Sequence, residues 1–268
     1  MTKGSTWDIL LLGILCAPLE SVKSKWDNMG YIDIHCHVLP GVDDGSQSID
    51  ETVEMLKIAE KSGISDMIVT PHYKQGRVGT PRRQILSMIE EVEQYAKLSG
   101  VNVRLHPGTE VYYNSGLEEK LESGWLSCMA DSEYVLVEFS PFETFTYVKN
   151  AMDDVFSLGY RPVLAHVERY QCMLSSISNV RVLHEMGCKI QVNAGSIAGD
   201  YGFKVKHFTK KLLKEGLVDY VGTDAHVEKM RKPDLTKCAE ILRKAYDEDY
   251  ADGLLGENAR RDFFNSNQ

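Results

Sequence analysis

The sequence lacks the cysteine patterns that mark several common classes of site. Its six cysteines lie far apart and none forms a C-x-x-C pair, which argues against a zinc ribbon and a thioredoxin-type redox site. No arginine stands six positions after any cysteine, so the C-x₅-R loop of cysteine-dependent phosphatases is also absent. In a chain of 268 residues with few short-range cysteine pairs, we expect reduced thiols and a cytoplasmic location.

Basic charge and long apolar runs are also scarce. The chain has 30 basic and 39 acidic residues, a formal net charge of −9, whereas nonspecific nucleic-acid binding needs Lys and Arg to neutralise phosphates. The phosphate loop G-x-x-x-x-G-K-[ST] is absent, and residues 41–45 (GVDDG) are acidic where such a loop is bare or basic. The apolar run 9–17 (ILLLGILCA) is shorter than the roughly 20 residues of a bilayer span. We therefore expect no nucleic-acid partner and no stable membrane insertion.

The overall composition is that of a globular protein. Hydrophobic residues make up 43% and charged residues 26%, and the length suffices to bury a core without a disulfide or metal staple. Residues 1–28 differ from the rest, and we interpret them as an N-terminal extension of uncertain role, with a targeting segment as the alternative. A single domain is predicted over residues 29–268.

Short β-type runs alternate with helical patterns from residue 30 onward. The predicted strands cover 31–36, 64–70, 101–105, 134–139, 161–166, 188–193 and 218–223. The predicted helices cover 49–62, 82–99, 146–158, 178–187, 204–216 and 234–247. Strands that recur between helices without a linker indicate parallel β/α units, so the sequence predicts an α/β fold closing, or nearly closing, into a barrel.

Metal-ligand types of residue stand at or just after most of the predicted strands. They are His35 and His37, His72, Glu110, Glu138, His166, and Asp224 and His226. Because the carboxyl ends of the strands form the active site of a β/α barrel, we expect these side chains to converge. Imidazoles and carboxylates without thiolates suit zinc, manganese or iron, and bridging carboxylates favour a multinuclear centre.

Side-chain alternation sharpens this expectation at the first strand. His35 and His37 are two residues apart and should share a face. Ile32, Ile34 and Cys36 should share the other face, towards the helices. Taken singly, His106 and His184 read as packed or surface histidines rather than ligands.

The motifs resemble those of the polymerase and histidinol phosphatase (PHP) superfamily of metal-dependent phosphoesterases. They resemble more closely the bacterial manganese-dependent tyrosine-protein phosphatases of capsule and exopolysaccharide operons. The matching segments are HVLPGVDDGS (37–46), TPHY (70–73), GTEVYY (108–113), LVEFS (136–140), AHVERY (165–170), QVNAGS (191–196) and GTDAH (222–226). The resemblance implies a distorted (β/α)7 TIM-like barrel in a single domain.

The resemblance also implies the ligands of three divalent ions per chain, with manganese as the first candidate and iron, zinc, cobalt or magnesium as alternatives. The first ion would take His35, His37, Glu110 as a bridging carboxylate, and Asp224. The second would take Glu138 and His166, and the third Asp44, His72 and His226. Spacing alone leaves Asp43 open as the alternative to Asp44.

The implied activity is hydrolysis of phosphotyrosine on a bacterial tyrosine kinase that regulates capsular or exopolysaccharide synthesis. Arg169 and Arg231 resemble the phosphate-facing arginines of the subgroup. A metal-bound hydroxide would attack in line, without a phosphoenzyme. For each arginine, an ordinary surface charge remains the alternative.

Three other functions fit part of the pattern. The first is a phosphatase of the same superfamily acting on a small molecule of the histidinol phosphate type. The second is a barrel amidohydrolase, which normally has a bridging lysine where this chain has Glu138. The third is a metal-bound but noncatalytic regulatory module.

Overall fold

A computed structural model describes residues 30–227 and 231–264. The extension predicted over residues 1–28 lies outside the described residues. Within them the strands are β1 (Tyr31–Cys36), β2 (Ile64–Val69), β3 (His72–Tyr73), β4 (Arg104–Pro107), β5 (Glu110–Tyr112), β6 (Tyr134–Glu138), β7 (Arg161–Leu164), β8 (Lys189–Asn193) and β9 (Tyr220–Gly222).

The strands form a curled, parallel sheet that places their carboxyl ends on one side. One part has the order β1-β2-β4, and the other has the order β3-β5-β6-β7-β8-β9. Two hydrogen bonds join the first strand to the segment after the last, from His37 N to Ala225 O (2.8 Å) and from Asp224 N to His35 O (2.7 Å). The predicted α/β class and parallel sheet are therefore confirmed.

The strand boundaries differ from prediction in the second and third units. The run predicted over 64–70 breaks at Thr70 and Pro71, so that β3 follows β2 after a short gap. Proline has no backbone N–H to donate to a ladder, which accounts for an interruption here. The third strand begins later than predicted and is divided by Gly108, where an added Cβ would lie 2.8 Å from Ile68.

The long helices agree with their predicted limits to within two residues. The helices are α1 (Ile49–Lys61), α2 (Arg82–Leu98), α3 (Leu117–Glu122), α4 (Phe145–Ser157), α5 (Gln171–Ser175), α6 (Ile177–Glu185), α7 (Ala194–Ala198), α8 (Phe203–Lys214), α9 (Thr236–Ala245) and α10 (Glu248–Asp252). Ser48 caps α1 by accepting from Glu51 N, as its residue type predicts. None of the helices in the described part of the chain combines the length and apolarity that crossing a bilayer requires.

Apolar side chains form a large cluster between sheet and helices and a smaller one enclosed by the strands. Ile32 and Ile34 belong to the smaller cluster, together with Phe263 from the chain end, whereas Cys36 belongs to the larger one. The prediction that Ile32, Ile34 and Cys36 share the helix-facing side is therefore wrong. The β1–β2 register shifts between Asp33 and Cys36, and this irregularity breaks the two-residue alternation.

Candidate metal centre

The carboxyl ends of the strands surround one cavity of about 640 Å³. Its wall includes His72, Glu110, Glu138, His166, Asp224 and His226, with Arg169 and Arg231 beside them. His35 and His37 lie beneath these residues and are almost fully buried. Side chains from six separate parts of the sequence therefore meet in one place, as the strand-end pattern predicts.

Among the described residues, four overlapping groups have ligand atoms close enough to share a metal ion. They are His37, Asp44, His72 and His226; His35, His37 and Asp224; His35, Glu110 and His166; and His72, Glu110 and Glu138. All nine sequence-predicted ligands occur in at least one group. The structure thus brings the whole predicted set together.

Glu110 lies at the centre of these groups. Its Oε2 is 3.2 Å from His35 Nε2, 3.3 Å from His37 Nε2 and 2.9 Å from His72 Nδ1. Its Oε1 is 2.8 Å from His166 Nε2. Burial by itself would raise the pKa of Glu110, but the surrounding histidines hold it well below its usual range. A carboxylate shared in this way is suited to bridge two cations.

The orphaned atoms of the cluster provide a test of whether a metal fits. Glu110 Oε2 and His72 Nδ1 are buried without a hydrogen bond of acceptable geometry. The Nε2 atoms of His35 and His37 face each other at 3.2 Å, and each lies 3.6 Å from Asp224 Oδ1. Buried nitrogen and oxygen atoms that lie close together without completing each other's hydrogen bonds match the ligand chemistry of divalent ions. The residues present therefore fit metal ions.

The two adjacent aspartates have different surroundings. Asp43 Oδ2 is 2.8 Å from His37 Nδ1 and also accepts from His72 N, while its Oδ1 accepts from Gly45 N. Asp44 is more exposed and lies 3.4 Å from His72 Nε2 and 3.5 Å from His226 Nε2. Both aspartates line the cavity, but only Asp44 belongs to a ligand group, whereas Asp43 contacts Nδ1 of His37, the ring nitrogen that does not face Glu110.

Backbone conformation helps to aim two of the side chains. His166 has φ 32° and Asp224 has φ 52°, so both occupy the left-handed region that non-glycine residues rarely adopt. Each stands two residues past the end of a strand, at the turn into the cavity. Strained conformations of this kind cluster at functional sites, where the surrounding structure maintains them.

Arg169 and Arg231 reach the same carboxylate from the cavity wall. Arg169 Nη1 donates to Asp224 Oδ2 at 3.2 Å, and Arg231 Nη2 lies 2.5 Å from that oxygen. Glu168, the acid that precedes Arg169 in the chain, is buried and accepts from Asn193 N and Ser196 Oγ. Both guanidinium groups therefore border the site rather than pairing with surface acids.

Several buried polar residues around the cluster were missed as functional candidates. Asp33 accepts from Thr223 N and His35 N, which ties β1 to β9, and burial raises its pKa to about 6. Gln191 and Asn193 are fully buried on β8. The signal was available in the QVN segment, since polar residues two apart on a buried strand point to one face.

The remaining candidates lie elsewhere. His106 pairs with Asp66 and packs against Phe264, near the amino ends of the strands. His184 is 3.8 Å from Asp219. Their interpretation as packed or surface histidines agrees with these contacts. The five described cysteines form no disulfide with one another.

Comparisons with known proteins converge on one family. The profile for capsular polysaccharide synthesis proteins CpsB/CapC matches residues 31–263. Tyrosine-protein phosphatase CpsB of Streptococcus pneumoniae is 31% identical over 235 residues, covering 86% of this chain and 97% of that protein. Tyrosine-protein phosphatase YwqE of Bacillus subtilis is 31% identical over 229 residues, covering 85% and 89% respectively.

The structural comparison agrees with the sequence comparison. A crystal structure from a study of YwqE of Bacillus subtilis and CpsB of Streptococcus pneumoniae, described as metal-dependent tyrosine phosphatases, superposes with a TM-score of 0.78. It is 29% identical, and the match covers 82% of this chain and 89% of that one. The curled sheet thus has a counterpart in a solved structure from that study.

Proposed function

The chain belongs to the CpsB/CapC family of capsular polysaccharide synthesis proteins, and on that premise we propose that it is a metal-dependent protein-tyrosine phosphatase. Its substrate is the phosphotyrosine of a bacterial tyrosine kinase that regulates capsule or exopolysaccharide synthesis. The observation that carries the proposal is the convergence of nine histidine and carboxylate side chains, with the buried Glu110 at their centre.

The ligand groups support a centre of three divalent ions, for which manganese is our first candidate. On the assignment that the family resemblance implies, His35, His37, Glu110 and Asp224 would hold the first ion, Glu138 and His166 with Glu110 the second, and Asp44, His72 and His226 the third. His166 Nε2 and Glu138 Oε2, assigned to the same ion, lie 4.0 Å apart. Bound divalent ions supply a nucleophile at neutral pH and neutralise phosphoryl oxygens.

Arg169 and Arg231 bind the phosphoryl group in this proposal. Their guanidinium groups stand at the cavity wall, where each can direct two N–H donors at phosphate oxygens. Both now contact Asp224 Oδ2, so a phosphate arriving beside Asp224 would meet donors that are already aimed. Donors placed before the reaction stabilise the charge that develops on the equatorial oxygens.

The rest of the cavity suits an aromatic ester. Val78, Tyr112, Phe139 and Pro141 also line it. Lys74 Nζ lies 3.9 Å above the centroid of the Tyr112 ring and fixes that side of the wall. With the phosphate at the arginines, a phenyl ring would lie along this apolar surface, which favours phosphotyrosine over a small aliphatic phosphate.

The fold supports two finer proposals. Since β3 continues β2 and β5 continues β4, we count seven β/α units and assign a distorted (β/α)7 barrel of the PHP type over residues 29–268. The free thiols of the described residues favour a reducing compartment, and we place the protein in the cytoplasm.

The deciding experiment compares substrates with and without metal. Purified protein loaded with Mn²⁺ should hydrolyse a phosphotyrosine peptide at least about tenfold more efficiently than histidinol phosphate, and a chelator should abolish both activities. Iodoacetamide should leave the folded enzyme active. Preference for histidinol phosphate would assign the small-molecule function, and full activity in the chelator would refute the metal mechanism.

A further inference from the structure

The QVN segment of β8 carries two buried polar side chains that have no role in the proposed function. Gln191 and Asn193 are both 0% exposed, and they stand two residues apart on a strand beneath the metal cluster. Buried amides are costly unless every polar group is paired, so their partners are informative.

The orientation of the Gln191 amide is fixed by a backbone group. His166 N donates to Gln191 Oε1 at 2.7 Å, and a backbone N–H has only the donor role. The atom facing His166 must therefore be the oxygen. The same Oε1 lies 3.2 Å from His35 Nδ1, which must carry its proton to donate there. His35 Nε2 is thereby left with a lone pair that faces Glu110 and Asp224.

The nitrogen of the Gln191 amide fixes the orientation of the Asn193 amide. Gln191 Nε2 donates to Asn193 Oδ1 at 2.9 Å, so the nitrogen of Asn193 points the other way. Asn193 Nδ2 donates to Asp224 Oδ2 at 2.8 Å, on the oxygen opposite the one that faces the histidines. The backbone of Asn193 is itself held, because its N–H donates to Glu168 Oε1.

We propose that Gln191 is a positioning residue for the metal centre: it holds His35 in the Nδ1-protonated tautomer and, through Asn193, directs an amide N–H at Asp224. This relay of hydrogen bonds thus orients two candidate ligands, one on β1 and one just after β9. The donor and acceptor roles within the relay follow from the His166 backbone N–H. The proposal rests on the proposed metal centre, and its test separates the two.

The test measures Mn²⁺ affinity by the electron paramagnetic resonance signal of the free ion. Gln191→Met keeps the length of the side chain but can neither accept from His35 nor donate to Asn193. We expect about 10- to 100-fold weaker binding of the tightest ion. Gln191→Glu still accepts from His35 Nδ1 but cannot donate to Asn193, so its affinity should lie between Gln191→Met and the wild type.

A matched control separates positioning from a general loss of stability. Tyr220→Phe removes a buried hydrogen bond to Asp262 at the amino end of β9, away from the ligands, and should bind Mn²⁺ as the wild type does. If Gln191→Met does not give a folded circular dichroism spectrum, Gln191→Asn replaces it, since the shorter side chain cannot reach His35.

The outcomes are distinct. Wild-type protein that binds no Mn²⁺ would refute the metal centre itself. If the wild type binds, the relay is overturned when Gln191→Met, or its Asn substitute, stays within about twofold of the wild-type affinity. It is equally overturned when Gln191→Glu binds no more tightly than Gln191→Met or that substitute, because the acceptor for His35 would then contribute nothing.

Discussion

The two ends of the sheet use the same residue types for different purposes. At the amino ends of the strands, Asp66 accepts from Arg104 Nε and Nη2 at 2.7 Å each, from His106 at 2.9 Å and from Ser65 at 2.7 Å. At the carboxyl ends, Glu110 has histidines around it, and one of its oxygens has no hydrogen bond. An aspartate and a histidine in contact do not by themselves define a site. What matters is whether the protein supplies hydrogen-bond partners for all of their polar atoms.

Electrostatics express the same difference. Burial would raise the pKa of Asp66, but His106 and Arg104 hold it far below its usual range, and arginine carries its charge at every relevant pH. Burial would lower the pKa of His72, yet Glu110 and Glu138 raise it to about 11. Without an ion, the charges at the carboxyl end balance only if histidines carry protons. The carboxyl end thus offers buried ligand atoms that cations could hold, whereas at the amino end the protein itself supplies the partners of Asp66.

The largest effect should come from removing ligands at the carboxyl end. His35→Ala and Asp224→Ala should each lose bound metal and at least about 10³-fold in kcat, since the donors converge on one buried cluster. Elemental analysis beside a phosphotyrosine-peptide assay measures both losses. His106→Ala, at the amino end, is the control and should keep metal and turnover. Full metal content in both ligand variants would remove them from the centre.

A smaller loss should follow from Arg169, which borders the cluster without being a predicted ligand. Arg169→Ala should keep its metal and lose about 10²–10³-fold in kcat, because a donor aimed at the transition state is gone. Arg169→Lys should recover only part of this, since a point charge cannot make a two-pronged contact. Arg104→Ala supplies the matched loss of an arginine–aspartate pair at the other end. Normal turnover by Arg169→Ala would mean that its pair with Asp224 is merely structural.

Sequence patterns predicted eight of the nine candidate ligands at the carboxyl end because each stands at or just after a strand and has a residue type that metals require, whereas Asp44 was predicted from the family resemblance. They did not resolve Asp43 from Asp44, since adjacent residues in a loop have no fixed period. They placed Ile34 on the wrong face because the register shift in β1 cannot be recognised from the alternation of apolar and polar residues in the sequence. Gln191 escaped notice because an amide on a buried strand matters only through partners that the fold supplies.

A milder effect should appear on the apolar wall of the cavity. Tyr112→Ala should lower kcat/KM for a phosphotyrosine peptide by about tenfold, the value of one aromatic contact. Hydrolysis of glycerol phosphate should change little, because that substrate has no ring to place. Tyr95→Ala, on the exposed face of α2, is the control. Equal losses on both substrates would show that Tyr112 supports the metal centre rather than the ring.

The smallest effect on catalysis should come from the amino end, where the comparison predicts a cost in stability alone. Asp66→Asn removes a carboxylate that is ionised and paired in the folded protein, and should lower the free energy of unfolding by about 1–3 kcal/mol at pH 7. Because the folded pKa of Asp66 lies below the unfolded value of about 3.9, the pair contributes fully above that pH. Its contribution is lost as the pH falls towards the folded pKa.

Urea titrations of wild type and variant should therefore differ by a constant amount above about pH 5 and converge below about pH 4. The Mn²⁺-loaded variant should retain wild-type kcat and KM at pH 7. A loss of turnover without a loss of stability would show that the two ends are coupled, and would contradict the prediction that the amino end affects stability alone.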